Sequence, residues 1–251
     1  MIQVKNSEQV AIMRQAGRIT GEALLKAAEH IKEGISTYEL DKIIHDHIVK
    51  SGAKPSFLGY GGFPASACIS LNEEVIHGIP RKDKILREGD IVKIDVGAYY
   101  KGFHGDSAKT FGVGAISNEA KRLIESTKEA FHRGAAKAVA GGRIGDIGAA
   151  VSEYATAQGY GVVRKYVGHG VGHQLHEDPE VPNFGTAGRG ARLFPGMTIA
   201  IEPMINQGTH EVKELKDGWT VITADHKLSA HYEHTVLITP EGEPILLTDV
   251  S

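Results

Sequence analysis

The chain has one cysteine, Cys68, in 251 residues. No disulfide can form within it, and such sparing use of cysteine fits a reducing compartment. Positive charge is not in excess either: 28 Lys and Arg against 31 Asp and Glu leave −3. That balance lacks the dense basic surface on which broad phosphate binding depends, so DNA is not an expected partner. No apolar run approaches the roughly 20 residues that cross a bilayer. Residues 1–10 mix Lys5, Asn6 and Glu8 among their apolar positions, unlike a secretory leader. Several catalytic signatures are missing: there is no G-x-S-x-G elbow, no Walker A loop and no H-E-x-x-H helix. Gly168, Gly170 and Gly172 do not have the G-x-G-x-x-G spacing of a nucleotide fingerprint. What is left is a cytoplasmic globular protein with no membrane partner, long enough to bury roughly three quarters of its unfolded surface.

What the chain does have is glycine, 31 residues, and histidine, 13. Apolar and small residues recur at three and four positions from Ser7 to about Ile31, which predicts a first helix. Ser36 with Glu39 forms a capping box before a second helix that stops near Gly52. Strands follow at Ala67–Leu71, Ile91–Tyr99 and Phe103–Val113, the last two joined by Tyr100-Lys101-Gly102. The pattern then restarts, with helices from Asn118 to Ala140 and from Asp146 to Gln158. Strands are expected again at 161–167, 197–204, 219–223 and 233–239. Leu86, Gly89 and Asp95 share their spacing with Leu193, Gly196 and Glu202, each pair 107 apart. Gly34 and Gly52 have counterparts at Gly142 and Gly159. One domain over 1–251 is expected, built from two similar α/β halves at about 7–115 and 116–245.

The acids inside apolar strands carry the chemistry. Alternation puts Val92, Ile94 and Val96 on one face and Asp95 on the other. Glu202 ends the run Thr198-Ile199-Ala200-Ile201, Asp106 lies across the hairpin from Asp95, and Glu233 heads the strand Thr235–Ile238. A carboxylate within a buried strand is costly unless paired or bound to metal. His169 lies in Val167-Gly168-His169-Gly170-Val171-Gly172-His173, where glycines disfavour a helix and admit a close backbone approach. Asp95, Asp106, His169, Glu202 and Glu233 form a hard, oxygen-rich set with one imidazole, suited to Mn²⁺, Fe²⁺ or Co²⁺. Four carboxylates are balanced by two divalent ions, so the expected centre is dinuclear.

These residues lie in segments that resemble the type I methionine aminopeptidases. The resemblance is carried by Cys68-Ile69-Ser70-Leu71-Asn72-Glu73-Glu74-Val75-Ile76-His77-Gly78-Ile79-Pro80, Ile94-Asp95-Val96-Gly97 and His104-Gly105-Asp106-Ser107. It continues through Tyr166-Val167-Gly168-His169-Gly170-Val171-Gly172, Leu175-His176-Glu177-Asp178-Pro179, Ala200-Ile201-Glu202-Pro203-Met204 and Glu233-His234-Thr235. It implies an α+β pita-bread (creatinase/aminopeptidase-like) fold, two pseudo-symmetric α/β halves around a central metal site. It also implies that Asp95, Asp106, His169, Glu202 and Glu233 are the metal ligands, with Asp106 and Glu233 shared by both ions.

The implied reaction is hydrolysis of the initiator methionine from nascent proteins and peptides, with a small second residue preferred. A metal-held hydroxide would attack the scissile carbonyl, with Glu202 as acid/base. His176 would stabilise the oxyanion, His77 would contact the peptide, and one ion would take the free α-amine. Tyr60, Phe63, Cys68 and Trp219 would surround the methionine side chain, as aromatic edges suit a thioether. Phe57 stands where many relatives have cysteine. A monomer is expected, with transient ribosome contact that does not use the zinc-binding N-terminal extension of some relatives. Two other readings exist. An X-Pro aminopeptidase of the same fold usually carries an added N-terminal domain. A non-catalytic pita-bread binding protein is expected to have lost metal ligands, and all five are here.

Overall fold

The computed structural model describes residues 2–250. The first half contains helices α1 (Ser7–Ala28) and α2 (Thr37–Lys50), then β1 (Lys54–Pro55), β2 (Ala67–Leu71), β3 (Glu74–Ile76), β4 (Ile91–Tyr100) and β5 (Phe103–Gly112). The second half opens with α3 (Asn118–Ala135) and α4 (Ile144–Ala157). Its strands are β6 (Gly161–Val162), β7 (Gly168–Gly170), β8 (Glu177–Val181), β9 (Thr198–Ile201) and β10 (Met204–Asn206). They continue with β11 (Val212–Glu214), β12 (Val221–Thr223), β13 (Ser229–His231), β14 (His234–Leu237) and β15 (Ile245–Leu246).

In the first half, β4 lies between β5 on one side and β2 with the short β1 on the other. Val92, Ile94 and Val96 of β4 are fully buried under α1 and α2, packed with Leu24, Leu40, Ile44 and Ile48. Full burial of each such side chain contributes about 1.5–3 kcal/mol. Helix α1 can lie this close to β5 because Gly17 meets Gly105. A Cβ on Gly105 would come within 2.8 Å of the Gly17 backbone. The second half covers the order β15-β14-β9-β7-β8, with Phe131, Ile144 and Ile147 of its helices packed on Ile199, Ile201 and Val236.

The duplication is visible in the backbone. Helix α2 and helix α4 are offset by 107 at both ends, and β4 and β9 at their first residues. The bridges Ser36–Ile85 and Arg143–Arg192 share that offset. So do three pairs of glycines with positive φ: Gly34 and Gly141, Gly52 and Gly159, Gly89 and Gly196. The counterpart of Gly34 is therefore Gly141, not the expected Gly142. Each occupies a left-handed turn that a side chain would strain.

The element boundaries differ from expectation where turns tighten or strands break. Helix α1 stops at Ala28, and Ile31 packs on the core from beyond it. Helix α3 ends at Ala135 because the following amides bond three residues back, Lys137 to Gly134 and Ala138 to Ala135. The hairpin after β4 closes through only Lys101 and Gly102, with φ of 46° and 92°, since Tyr100 still pairs with Phe103. The single strand expected over 197–204 is two, β9 and β10, in different sheets. Pro203 has no amide to continue the ladder. The strand expected from Glu233 begins at His234, and Trp219 lies before β12 rather than inside it. Only Gly161 and Val162 of the strand expected over 161–167 pair.

Candidate functional site

Strand register builds the first half of the site. Asp95 is paired with Cys68 on one side and Ala108 on the other, while Asp106 is paired with Gly97. Residues 95 and 97 share a face, so both aspartates project from the face opposite the helices. That face is not wet: Asp106 is 4% exposed, and it is covered by the second half. The Asp106 amide donates to Thr235 Oγ1 at 2.9 Å, and that hydroxyl donates back to the Asp106 carbonyl at 2.9 Å. The Glu233 amide donates to the Ala108 carbonyl at 2.8 Å, and Ser107 Oγ donates to the Glu233 carbonyl at 2.7 Å. Strand β5 is thereby closed onto residues 233–235, which brings Glu233 to Asp106.

The second half supplies its acids at a break. Strand β9 pairs with β14 through Ile201 and His234, and β10 pairs with β13 through Met204 and His231. The same register carried across the gap sets Glu202 opposite Glu233. Like charges directly opposite weaken a strand pair, and the ladder opens at that point. Asn183 Nδ2 donates to the Glu202 carbonyl at 3.0 Å and satisfies a group that the sheets leave unpaired. His169 comes from β7, whose flanking glycines serve neighbouring strands. A Cβ on Gly168 would lie 2.3 Å from the Ala200 carbonyl oxygen, and one on Gly170 would lie 2.3 Å from that of Asp178. The close approach expected at these glycines is to β9 and the residues of β8.

One ligand atom from each of Asp106, His169 and Glu233 lies within 4.8 Å of the others, and all three residues are buried. Nδ1 of His169 is 2.9 Å from the Gly170 carbonyl oxygen. A carbonyl only accepts, so Nδ1 carries the proton and Nε2 keeps its lone pair. Nε2 lies 3.4 Å from Glu202 Oε1 and 3.8 Å from Asp106 Oδ2. Burial holds this imidazole neutral, with its pKa down at about 3. Burial pushes Asp95 up to about 7. It also raises Asp106, Glu202 and Glu233 well above the ordinary carboxylate range, with neighbouring carboxylates adding to the shift. Asp95 Oδ1, Asp106 Oδ1 and Glu233 Oε1 are buried without a hydrogen-bond partner. Buried oxygens of this kind, facing a neutral imidazole lone pair, fit a divalent cation and leave an acidic cluster uncompensated without one.

Beside the acids lies a cavity of about 640 Å³, its open mouth included. It brings together Tyr60, Phe63, Cys68, His77, His176 and Trp219 with all five expected ligands. Phe63 and Trp219 meet edge to face at 5.1 Å between ring centroids. Burial raises the Cys68 thiol well above its ordinary value, so it stays protonated and acts as a small apolar wall. His77 is held neutral, with burial lowering its pKa to about 4. His176 Nδ1 lies 2.7 Å from the Tyr60 hydroxyl, and its ring lies 4.0 Å from that of His169.

Two features of the site were not singled out from the sequence. Leu175, 1% exposed, completes the apolar wall with Phe57. Lys93 is fully buried and donates from Nζ to the carbonyls of Asn72 at 2.7 Å and Ser229 at 3.0 Å. Its signal was available, since Lys93 shares the Asp95 face by alternation. His231 is buried, with Nε2 3.7 Å from Glu202 Oε2.

Residues 11–240 match metallopeptidase family M24. A methionine aminopeptidase of Clostridium acetobutylicum is 54% identical over 246 residues, 98% of each chain. Methionine aminopeptidase 1 of Bacillus subtilis is 50% identical, over 98% of this chain and 99% of its own. The crystal structure of methionine aminopeptidase from Thermotoga maritima superposes with a TM-score of 0.97 at 42% identity, covering 99% of this chain and 100% of that one. A prolidase from Pyrococcus furiosus shares the fold with a TM-score of 0.80 at 27% identity, over 99% of this chain and 66% of its own. With pita-bread halves closed on a buried acidic cluster suited to a divalent metal, the chain belongs to metallopeptidase family M24, among its methionine aminopeptidases.

Proposed function

We propose that residues 1–251 act as one catalytic domain, with halves at about 7–115 and 116–245, that removes N-terminal methionine from nascent chains and favours a small second residue. The observation that carries this reading is one cavity in which unpartnered carboxylate oxygens lie beside an apolar, aromatic pocket. Asp95, Asp106, His169, Glu202 and Glu233 hold two divalent ions, of manganese, iron or cobalt. Bound there, such ions supply Lewis acidity toward water and the scissile carbonyl.

The chain's own groups perform the rest. Phe63, Cys68, Trp219 and the ring of Tyr60 receive the methionine side chain, whose thioether packs against aromatic edges. Glu202 accepts the proton of the attacking water and passes it to the leaving amine, a task suited to a carboxyl whose burial raises its pKa. His176 donates to the oxygen of the scissile carbonyl as negative charge develops there. His77, neutral, contacts the peptide beyond the scissile bond. The protein works as a cytoplasmic monomer that meets the ribosome transiently.

Elemental analysis of dialysed protein, with turnover measured at each metal increment on Met-Ala-Ser and Met-Leu-Ser, tests this. Activity should rise to a plateau at two ions per chain and favour the alanine peptide. Full activity without metal, or no preference at the second residue, would sink it.

A further inference from the structure

Two of the three histidines that line the cavity, His169 and His176, have unlike partners. His169 Nδ1 faces a carbonyl oxygen, which fixes the proton on Nδ1 and leaves Nε2 as an acceptor. His176 Nδ1 faces the Tyr60 hydroxyl at 2.7 Å, the sole hydrogen-bond partner of that side chain among the described residues. A neutral imidazole carries one proton, and its partner decides which nitrogen holds it. A phenol can donate or accept, but at neutral pH it retains its proton.

We propose that Tyr60 is the positioning residue for His176: its hydroxyl donates to Nδ1, which places the imidazole proton on Nε2 and makes that nitrogen a hydrogen-bond donor to the scissile carbonyl. The inference rests on the role given to His176 above. Two rings with centroids 4.0 Å apart and planes tilted by 52° thus take opposite tautomers, the ligand presenting a lone pair and the oxyanion donor a proton. The role proposed for His176 requires this choice, because only an N–H can donate to a developing oxyanion.

The backbone around Tyr60 is built to hold the hydroxyl there. The segment turns through Gly59, Gly61 and Gly62, all at positive φ, and is tied by Tyr60 N–H to the Phe57 carbonyl and Phe63 N–H to the Tyr60 carbonyl, both at 2.9 Å. Phe57 and Phe63 are buried in the pocket cluster at either end. The turn that measures the substrate side chain is therefore the turn that orients the donor, which links occupation of the pocket to stabilisation of the oxyanion.

The test combines kinetics with a direct reading of the tautomer. Zinc-loaded protein labelled with ¹⁵N-histidine, assigned with the His176→Ala variant, should show His176 protonated on Nε2. Tyr60→Phe should lose that pure state. On Met-Ala-Ser, Tyr60→Phe should lower kcat about tenfold, as loss of one hydrogen bond implies, with KM within twofold. In the His176→Ala background the same substitution should cost nothing further, because the two act as one unit. Protonation of His176 on Nδ1, or an equal tenfold loss in both backgrounds, would overturn the proposal. Failure of wild-type protein to release methionine would instead refute the function, and the NMR result would still decide the tautomer.

Discussion

The two halves place their acids by different means. In the first, β4 and β5 are unbroken ten-residue strands, and Asp95 and Asp106 are set by ladder register alone. In the second, β9 and β14 have four residues each, and Glu202 and Glu233 lie just outside them, opposite one another where the ladder opens. A continuous ladder gives rigid placement on one face. A broken one frees a carboxylate from its pleat and leaves backbone groups that Asn183 and β5 must satisfy. The half whose acid is proposed to transfer the proton is the half that interrupts its sheet.

The largest effect should follow from the broken side. Glu202→Gln keeps the shape but removes the proton acceptor, so kcat on Met-Ala-Ser should fall about 10³-fold while KM stays within a few-fold. Near-normal turnover would move the acid/base role elsewhere.

Removing metal should expose the strain shared by both halves. Burial raises the folded-state pKa of Asp95 to about 7 and raises those of Asp106, Glu202 and Glu233 as well. Between the unfolded carboxylate range of about 4 and pH 7, these four carboxyls hold more protons in the folded metal-free chain than in the unfolded one, whereas buried neutral histidines such as His77, His169, His231 and His234 hold fewer. The carboxyl contribution to stability therefore falls as pH rises through that window, and metal removes it, so the stability gained on loading should grow with pH. Denaturation midpoints of chelated and manganese-loaded protein at pH 5, 6 and 7 check this. Identical profiles would contradict the ligand set.

The helix–sheet contact of the first half is the next place to press. Gly105→Ala puts a methyl against the Gly17 backbone and should cost about 1–3 kcal/mol as overpacking, read from urea midpoints. The smallest effect compares equivalent caps. The Ser36 side chain accepts from the Glu39 amide at the start of α2, whereas Arg143, its counterpart before α4, does not cap with its side chain. Ser36→Ala should cost about 1 kcal/mol and Arg143→Ala almost nothing. Equal costs would mean that the caps are not what distinguishes the two helices.

The first half was more legible in the sequence than the second, for a physical reason. Alternation over ten residues identifies a strand and a face, so Asp95 and its apolar neighbours could be read directly. Strands of three or four residues carry too little periodicity, and the apolar run at 197–204 looked continuous across the sheet switch that Pro203 imposes. The ligand set and pocket residues came from residue types in ordered motifs and from the resemblance, and all of them face one cavity. The Tyr60–His176 contact, the Lys93 ammonium on two carbonyls and the opposition of Glu202 to Glu233 are long-range juxtapositions that no local pattern encodes.

The central claim is tested most directly by the methionine released from Met-Ala-Ser, with Ala-Pro-Ala alongside, after chelation and again with Mn²⁺ restored. Without metal there should be no release and, with it, cleavage of the methionine peptide alone. Cleavage of only the proline peptide, or silence on both with metal bound, would contradict it.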